Sequence, residues 1–306
     1  YNWFISKGII LKIFKKILLI TTLFSTTSVL LADTKIGTFL SGGIDSSLIT
    51  ILSKKYNSNI EGFTTVYLPE KKYEKFNIDY QYSKQLSKDL NINLNVIFIE
   101  NISHVLDDFY KVTDYLDEPI SNLNFLNTYW QSKHAKSQNF KVILTGDGSD
   151  ELFCGYDRYY KLFLSYHLRF LNKINKKIDN YNSVENQNIP QFFYSIFNNT
   201  NLNELFKRNN YLKESKKINL LKNINFKSKV DYINYFDFKY WLTNESNFKL
   251  DKCTMINSIE ARVPFQDSNL IKRFFFTENS KKFNFFNRKF LLKKNDLIPK
   301  YIKNRK

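Results

Sequence analysis

Short apolar runs alternate with segments of helical periodicity through the first half of the chain. Lys35–Leu40 reads as a strand, Ser47–Lys55 as a helix and Ile60–Val66 as a second strand. A helix is predicted over Asp79–Leu90, where Tyr82, Leu86 and Leu90 recur every fourth residue on one face. Leu94–Ile99 is the third strand, Ser103–Tyr115 and Asn122–Ser137 are helices, and Lys141–Leu144 is the fourth strand. Apolar strands this short, separated by helices, predict an α/β fold with a mostly parallel, doubly wound sheet covered on both faces. Beyond Gly155 the strand signals fade. The remainder reads as helical, apart from a polar, Asn-rich loop around Asn172–Asn188.

Chemistry enters where the first strand ends. Ser41-Gly42-Gly43-Ile44-Asp45-Ser46-Ser47 places two glycines, a carboxylate and three hydroxyls between that strand and the next helix. Glycines let backbone N–H groups turn inward, and the helix N-terminus adds its positive dipole end, so the loop has the makings of a phosphate cradle. No Gly-Lys-Ser/Thr follows, so it is not the Walker loop. An embedded Asp without that Lys suits a pyrophosphate held by amides, hydroxyls and a metal ion. The competing reading is an ordinary Gly/Ser connector.

A second cluster, Thr145-Gly146-Asp147-Gly148-Ser149-Asp150-Glu151, follows the fourth strand. Ligands of open α/β sheets bind at the carboxyl ends of strands, so the two loops are expected to face one pocket. Three carboxylates this close repel one another unless they share a cation. The pattern therefore predicts Mg²⁺ on Asp45 and Asp150, bridging nucleotide phosphates. The alternative is a solvated acidic turn.

Composition narrows the picture only a little. A chain of 306 residues, 43% hydrophobic and 17% aromatic, has ample sequence for a packed core. The net charge of +17 is spread along the whole chain among asparagines and isoleucines, not focused in a patch, so no nucleic-acid partner is expected. Cys154 and Cys253 form no Cys-x-x-Cys pair and read as buried small hydrophobes. His104, His134 and His167 show no zinc spacing. Residues 1–31 hold lysines at 7, 12, 15 and 16 before the apolar run Ile17–Leu31, the layout of an export leader. Six Thr and Ser interruptions make the run too polar for a membrane span. It is read as a helical remnant beside the first strand, in a cytoplasmic protein without a membrane partner, because an ATP-type loop follows at once.

Taken together, these motifs resemble the synthetase domain of the asparagine synthetase (glutamine-hydrolysing) family, within the ATP pyrophosphatase superfamily. The matching stretches are SGGIDSS at 41–47, Asp117-Glu118-Pro119, TGDGSDELFCGYDRY at 145–159, Leu250–Met255, Ser258–Asp267, and Leu297-Ile298-Pro299 with Arg305. The resemblance covers roughly residues 33–306, within a domain placed at 32–306, and implies an adenine nucleotide alpha hydrolase-like sheet. It also implies an amide-forming ligase: ATP adenylates the side-chain carboxylate of aspartate or a related acid, and ammonia then displaces AMP. Carried over by position, Ser41, Gly42, Gly43, Ser46 and Ser47 hold the pyrophosphate, and Asp45 and Asp150 bind Mg²⁺. Leu40, Thr65 and Gly146 border the nucleotide. Asp147 stands where some members have Glu and orients the acyl adenylate and ammonia. Glu260 and Arg262 read as a buried, paired network, with a direct catalytic role as the alternative.

Two departures from the family pattern shape the expectation. No glutaminase domain precedes the first loop, so ammonia is expected from a separate domain or subunit. The family's Arg-x-Lys would place its lysine one residue beyond Lys306, so residues 32–306 are read as a domain truncated at its C-terminus, with weakened adenylation. Rival readings are an ATP pyrophosphatase acting on tRNA and an inactive binding protein.

Overall fold

The computed structural model describes residues 34–69, 74–75, 77–100, 102–118, 120, 122–167, 224–275, 277, 282 and 287–305. The N-terminal helix expected over 1–31, Pro119, the loop expected near 172–188 and Lys306 lie outside the described residues. The first eight elements are β1 (Ile36–Phe39), α1 (Ile44–Tyr56), β2 (Glu61–Tyr67), α2 (Ile78–Leu90), β3 (Leu94–Ile99), α3 (Ile102–Tyr115), α4 (Phe125–Ser137) and β4 (Val142–Leu144). Each falls where the apolar pattern predicts it, with ends shifted by a few residues.

The strands form one sheet in the order β3-β2-β1-β4-β5, every pairing parallel. β5 (Glu260–Arg262) departs from the sequence reading, which placed only helix and loop beyond Gly155. Three residues are too few to show a period. What makes them a strand is the exposed edge of β4: Glu260 N donates to Lys141 O at 2.8 Å and Thr145 N to Arg262 O at 3.0 Å.

Alternation along β4 sorts its side chains between two layers. Val142 and Leu144 pack with Leu48, Ile49 and Leu52 of α1, together with Leu292, Ile298 and Ile302 from later in the chain. Ile143 faces the opposite side, with Phe63, Ala135, Phe140 and Ile259. Both faces of β4 are therefore covered, which is why all three of its residues are apolar and buried. A buried leucine or isoleucine of this kind contributes roughly 1.5–3 kcal/mol.

Later elements are α5 (Ser149–Phe153), α6 (Asp157–His167), α7 (Lys229–Phe236), a π-helix (Asp237–Asn247), α8 (Phe248–Met255), a 3₁₀ turn (Pro264–Gln266), α9 (Ser268–Phe274), α10 (Phe290–Lys293) and α11 (Lys300–Lys303). Ser228 caps α7 by accepting from Asp231 N, and Asp267 caps α9 by accepting from Asn269 N and Leu270 N. Both cysteines are free and buried, and burial pushes each thiol up to about 12, as expected of inert packing residues. Among the described residues, no helix is long and apolar enough to cross a membrane.

Candidate active site

β1 lies at the centre of the sheet. The chain runs outward from it to β2 and β3 on one side, and to β4 and β5 on the other. The order therefore reverses between β1 and β4, the place where open α/β sheets leave a crevice at their carboxyl ends. Thr38 pairs with Leu144, so the loop at Ser41–Ser47 and the loop at Thr145–Asp150 leave adjacent strands side by side.

Beneath them is a cavity of ≈ 290 Å³. Ser41, Asp45 and Ser46 line it from the first loop, and Gly146, Asp147 and Asp150 from the second. Of the remaining predicted residues, Leu40, Gly42, Gly43, Ser47 and Thr65 do not line it. Leu40 is buried beneath the loop, where its carbonyl accepts from Ser83 Oγ at 2.6 Å. Thr65 Oγ1 donates to Asn127 Oδ1 at 3.5 Å, and so touches the cavity only through a lining residue.

The first loop is shaped by its own small residues. Ser41 and Ser46 hydroxyls share a hydrogen bond of 3.0 Å, and Ser46 Oγ donates to Gly43 O at 3.3 Å. Gly42 has φ +64, and a Cβ there would stand 2.4 Å from Tyr82 Cβ and 2.8 Å from Ser83 N. The loop thus rests on α2 at a distance only glycine permits. Ser47 Oγ is buried without a hydrogen-bond partner. The first N–H groups of α1 lie in the same loop, where a helix leaves donors unpaired.

An ammonium, that of Lys289, lies between the two carboxylates. Lys289 Nζ stands 2.5 Å from Asp45 Oδ2 and 2.6 Å from Asp150 Oδ1. Asp45 Oδ1 also accepts from Ser149 Oγ at 2.6 Å. Burial raises the pKa of Asp45, opposed by the lysine and reinforced by Asp150. Burial acts to lower that of Lys289, but Asp150 and Asp45 outweigh it and the ammonium stays charged. Two carboxylates converging on one small cation form a donor set that also fits a hard divalent ion completed by phosphate oxygens.

Asp147 faces the same cavity, and its Oδ1 accepts from Ser246 Oγ at 3.0 Å. Ser246 stands near the end of the π-helix, whose wider turn is a frequent feature of functional sites. Asn247 and Gln266 then exchange two amide hydrogen bonds of 2.8 Å, joining the π-helix to the 3₁₀ turn. Glu151 is 1% exposed and accepts from Tyr156 Oη at 2.8 Å. Burial, then the neighbouring Asp150, push its carboxyl up to about 7. Glu260 and Arg262 are paired at 2.7 Å as expected, but the pair is not buried: the Glu260 side chain is 57% exposed because β5 is an edge strand. Asp117 meets Lys252 at 2.6 Å, which joins two of the motifs.

Sequence reasoning missed Lys289, Glu151, Ser246, Asn127 and Lys249 as cavity or cation residues. Only Glu151 carried a signal, as the third carboxylate of its cluster. Among the described residues no group of three or more His, Cys, Asp or Glu is placed to hold a metal ion unaided.

The chain can be compared with known proteins along its sequence. An asparagine synthetase [glutamine-hydrolyzing] 1 of Bacillus subtilis is 26% identical over 296 residues, covering 90% of this chain and 46% of the relative. A Mycobacterium tuberculosis (H37Rv) protein provisionally named asparagine synthetase [glutamine-hydrolyzing] is 27% identical over 255 residues, 77% of this chain and 38% of its own. Asparagine synthetase B of Escherichia coli K12 is 26% identical over 149 residues, 45% of this chain and 26% of that protein. The chain spans less than half the length of each of these relatives. A family profile described as Asparagine synthase matches residues 24–306, and the chain belongs to that family.

Proposed function

We propose that the crevice between β1 and β4 binds ATP, and that the chain is the synthetase part of an amide-forming ligase. In this reading the side-chain carboxylate of aspartate, or of a related acid, attacks the α-phosphorus of ATP and pyrophosphate leaves. Ammonia then adds to the acyl carbon, AMP leaves, and an amide is formed. The family membership and the names of the relatives support the reaction class. The observation that carries the reading is the convergence of Asp45 and Asp150 on one cation at the mouth of the sheet's reversal point.

Roles follow from chemistry and position. The hydroxyls of Ser41, Ser46 and Ser47, with the amides around Gly42 and Gly43, receive the pyrophosphate; of the three hydroxyl residues, Ser41 and Ser46 line the cavity. Asp45 and Asp150 would hold Mg²⁺, which when bound offsets charge building on the pyrophosphate. Leu40, Thr65 and Gly146 border the nucleotide. Asp147, oriented by Ser246, faces the acyl adenylate and the incoming ammonia. The ammonia comes from a glutaminase domain or subunit.

The test is AMP and pyrophosphate formation from ATP across candidate carboxylates, with ammonium or glutamine as nitrogen source. Asp45→Asn is expected to lower Mg²⁺-dependent turnover by about 100-fold or more, the scale of removing one electrostatic stabiliser. Unchanged turnover would sink the assignment.

A further inference from the structure

Lys289 lies outside every motif used to read the site, 244 residues from Asp45, yet its ammonium is the centre of the carboxylate cluster. Its ammonium pairs with both carboxylates, one from each of the two loops, as charge-assisted hydrogen bonds. The Lys289 side chain is only 11% exposed. Room for it comes from Gly155: a Cβ at that position would stand 1.8 Å from Asp150 Oδ1 and 2.1 Å from Lys289 Cε. Lys289 itself takes a left-handed backbone, φ 50, uncommon for a residue with a side chain, and it precedes α10. Loop, glycine and backbone thus all accommodate one ammonium between two carboxylates.

We propose that Lys289 is a built-in counter-cation: it occupies the cation position between Asp45 and Asp150 in the free protein and yields it to a divalent ion that arrives with the nucleotide. This rests on the assignment of both carboxylates to Mg²⁺. The physical case is one of charge. Without a cation, the carboxylates of Asp45 and Asp150 repel one another, and this repulsion acts against the direct Ser149–Asp45 hydrogen bond that also joins the two loops. With the ammonium in place, a bare divalent ion meets a site already partly neutralised and must displace a tethered competitor. A divalent ion carried by ATP brings phosphate oxygens with it, which offer the displaced ammonium a new partner. Lys289 is therefore a positioning residue that makes the site selective for the nucleotide-bound cation over the free one.

The experiment is Mn²⁺ binding, read from the free-ion electron paramagnetic resonance signal, with and without ATP. Wild-type protein should bind Mn²⁺ weakly alone and clearly tighter with ATP. Lys289→Gln keeps an N–H donor but loses the charge, and should gain at least about tenfold in affinity for Mn²⁺ without ATP. Its melting temperature in chelator should fall below that of wild type and recover with Mn²⁺. If Lys289→Gln does not fold in chelator, titration with Mn²⁺ followed by circular dichroism should restore the fold, and failure to do so counts against the proposal. No gain for Lys289→Gln, while wild type still takes up Mn²⁺ with ATP, overturns the counter-cation role and leaves the metal assignment standing. No Mn²⁺ uptake by either protein, with or without ATP, overturns both.

Discussion

A buried carboxylate that accepts a single tyrosine hydroxyl is an unusual residue to keep beside a charged pair. Glu151 is that residue, and its pKa direction turns into a stability prediction. Its carboxyl is raised from 4.5 to about 7, so the folded state prefers the proton. Below pH 4.5 folded and unfolded chains both carry it. Between pH 4.5 and 7 the unfolded chain ionises first, so stability falls as pH rises, by about 3 kcal/mol in all. Glu151→Gln, neutral throughout and still able to accept from Tyr156, should flatten that part of the profile. Urea midpoints of the two proteins from pH 4.5 to 7.5 check this; parallel profiles would show that Glu151 ionises normally.

The π-helix sits between two α-helices, and its first residue is tied firmly. Asp237 is fully buried and accepts from Arg158 Nε at 2.7 Å and from the Tyr159 hydroxyl. Burial, then Asp237, hold that hydroxyl's pKa well above its ordinary value. The guanidinium of Arg158 lies 3.9 Å from the Tyr156 ring centroid, which links the π-helix to the tyrosine that contacts Glu151. Removing one partner from a buried charge pair leaves the other poorly compensated. Asp237→Ala should therefore cost about 3–5 kcal/mol in chemical denaturation. Its effect should reach Ser246 at the far end of the same element, where protection of the 237–247 amides against hydrogen exchange should drop. A loss below about 1 kcal/mol would mean the pair is solvated and the π-helix is held by other contacts.

Across the whole molecule, the last described helix folds back onto the first loop. Arg305 Nη1 donates to Ser41 O at 2.8 Å, its other terminal nitrogen pairs with Asp79, and its guanidinium lies 5.0 Å from the Tyr82 ring centroid. The Tyr82 and Tyr301 rings stack at 6.5 Å, and the Tyr301 hydroxyl donates to Asp89. These contacts tie the C-terminal segment to α2 and, through Ser41 O, to the loop that rests on α2. Arg305→Ala is expected to raise hydrogen exchange of the 41–47 amides about tenfold, the size of a lost charge-assisted hydrogen bond. Amides of Leu48–Leu52, in the core, should not change. Equal acceleration in both segments would indicate global destabilisation in place of a local brace.

The apolar pattern by itself determined four of the five strands and the helices between them, because a doubly covered parallel sheet writes its burial directly into short apolar runs. The two loops were equally legible: glycines, hydroxyls and carboxylates at strand ends are local features with local reasons. β5 was not legible, since three residues at Glu260–Arg262 carry no period and become a strand only by pairing with β4. Neither was the π-helix, whose composition does not set it apart from the α-helices on either side. Between Asp45 and Asp150, where the sequence reading expects Mg²⁺, the fold places the ammonium of Lys289. A carboxylate pair demands a positive partner, but which side chain supplies it depends on where a lysine 244 residues from Asp45 is brought by the folded chain. Charge is written in the sequence, while proximity across the sheet is decided only when the chain closes.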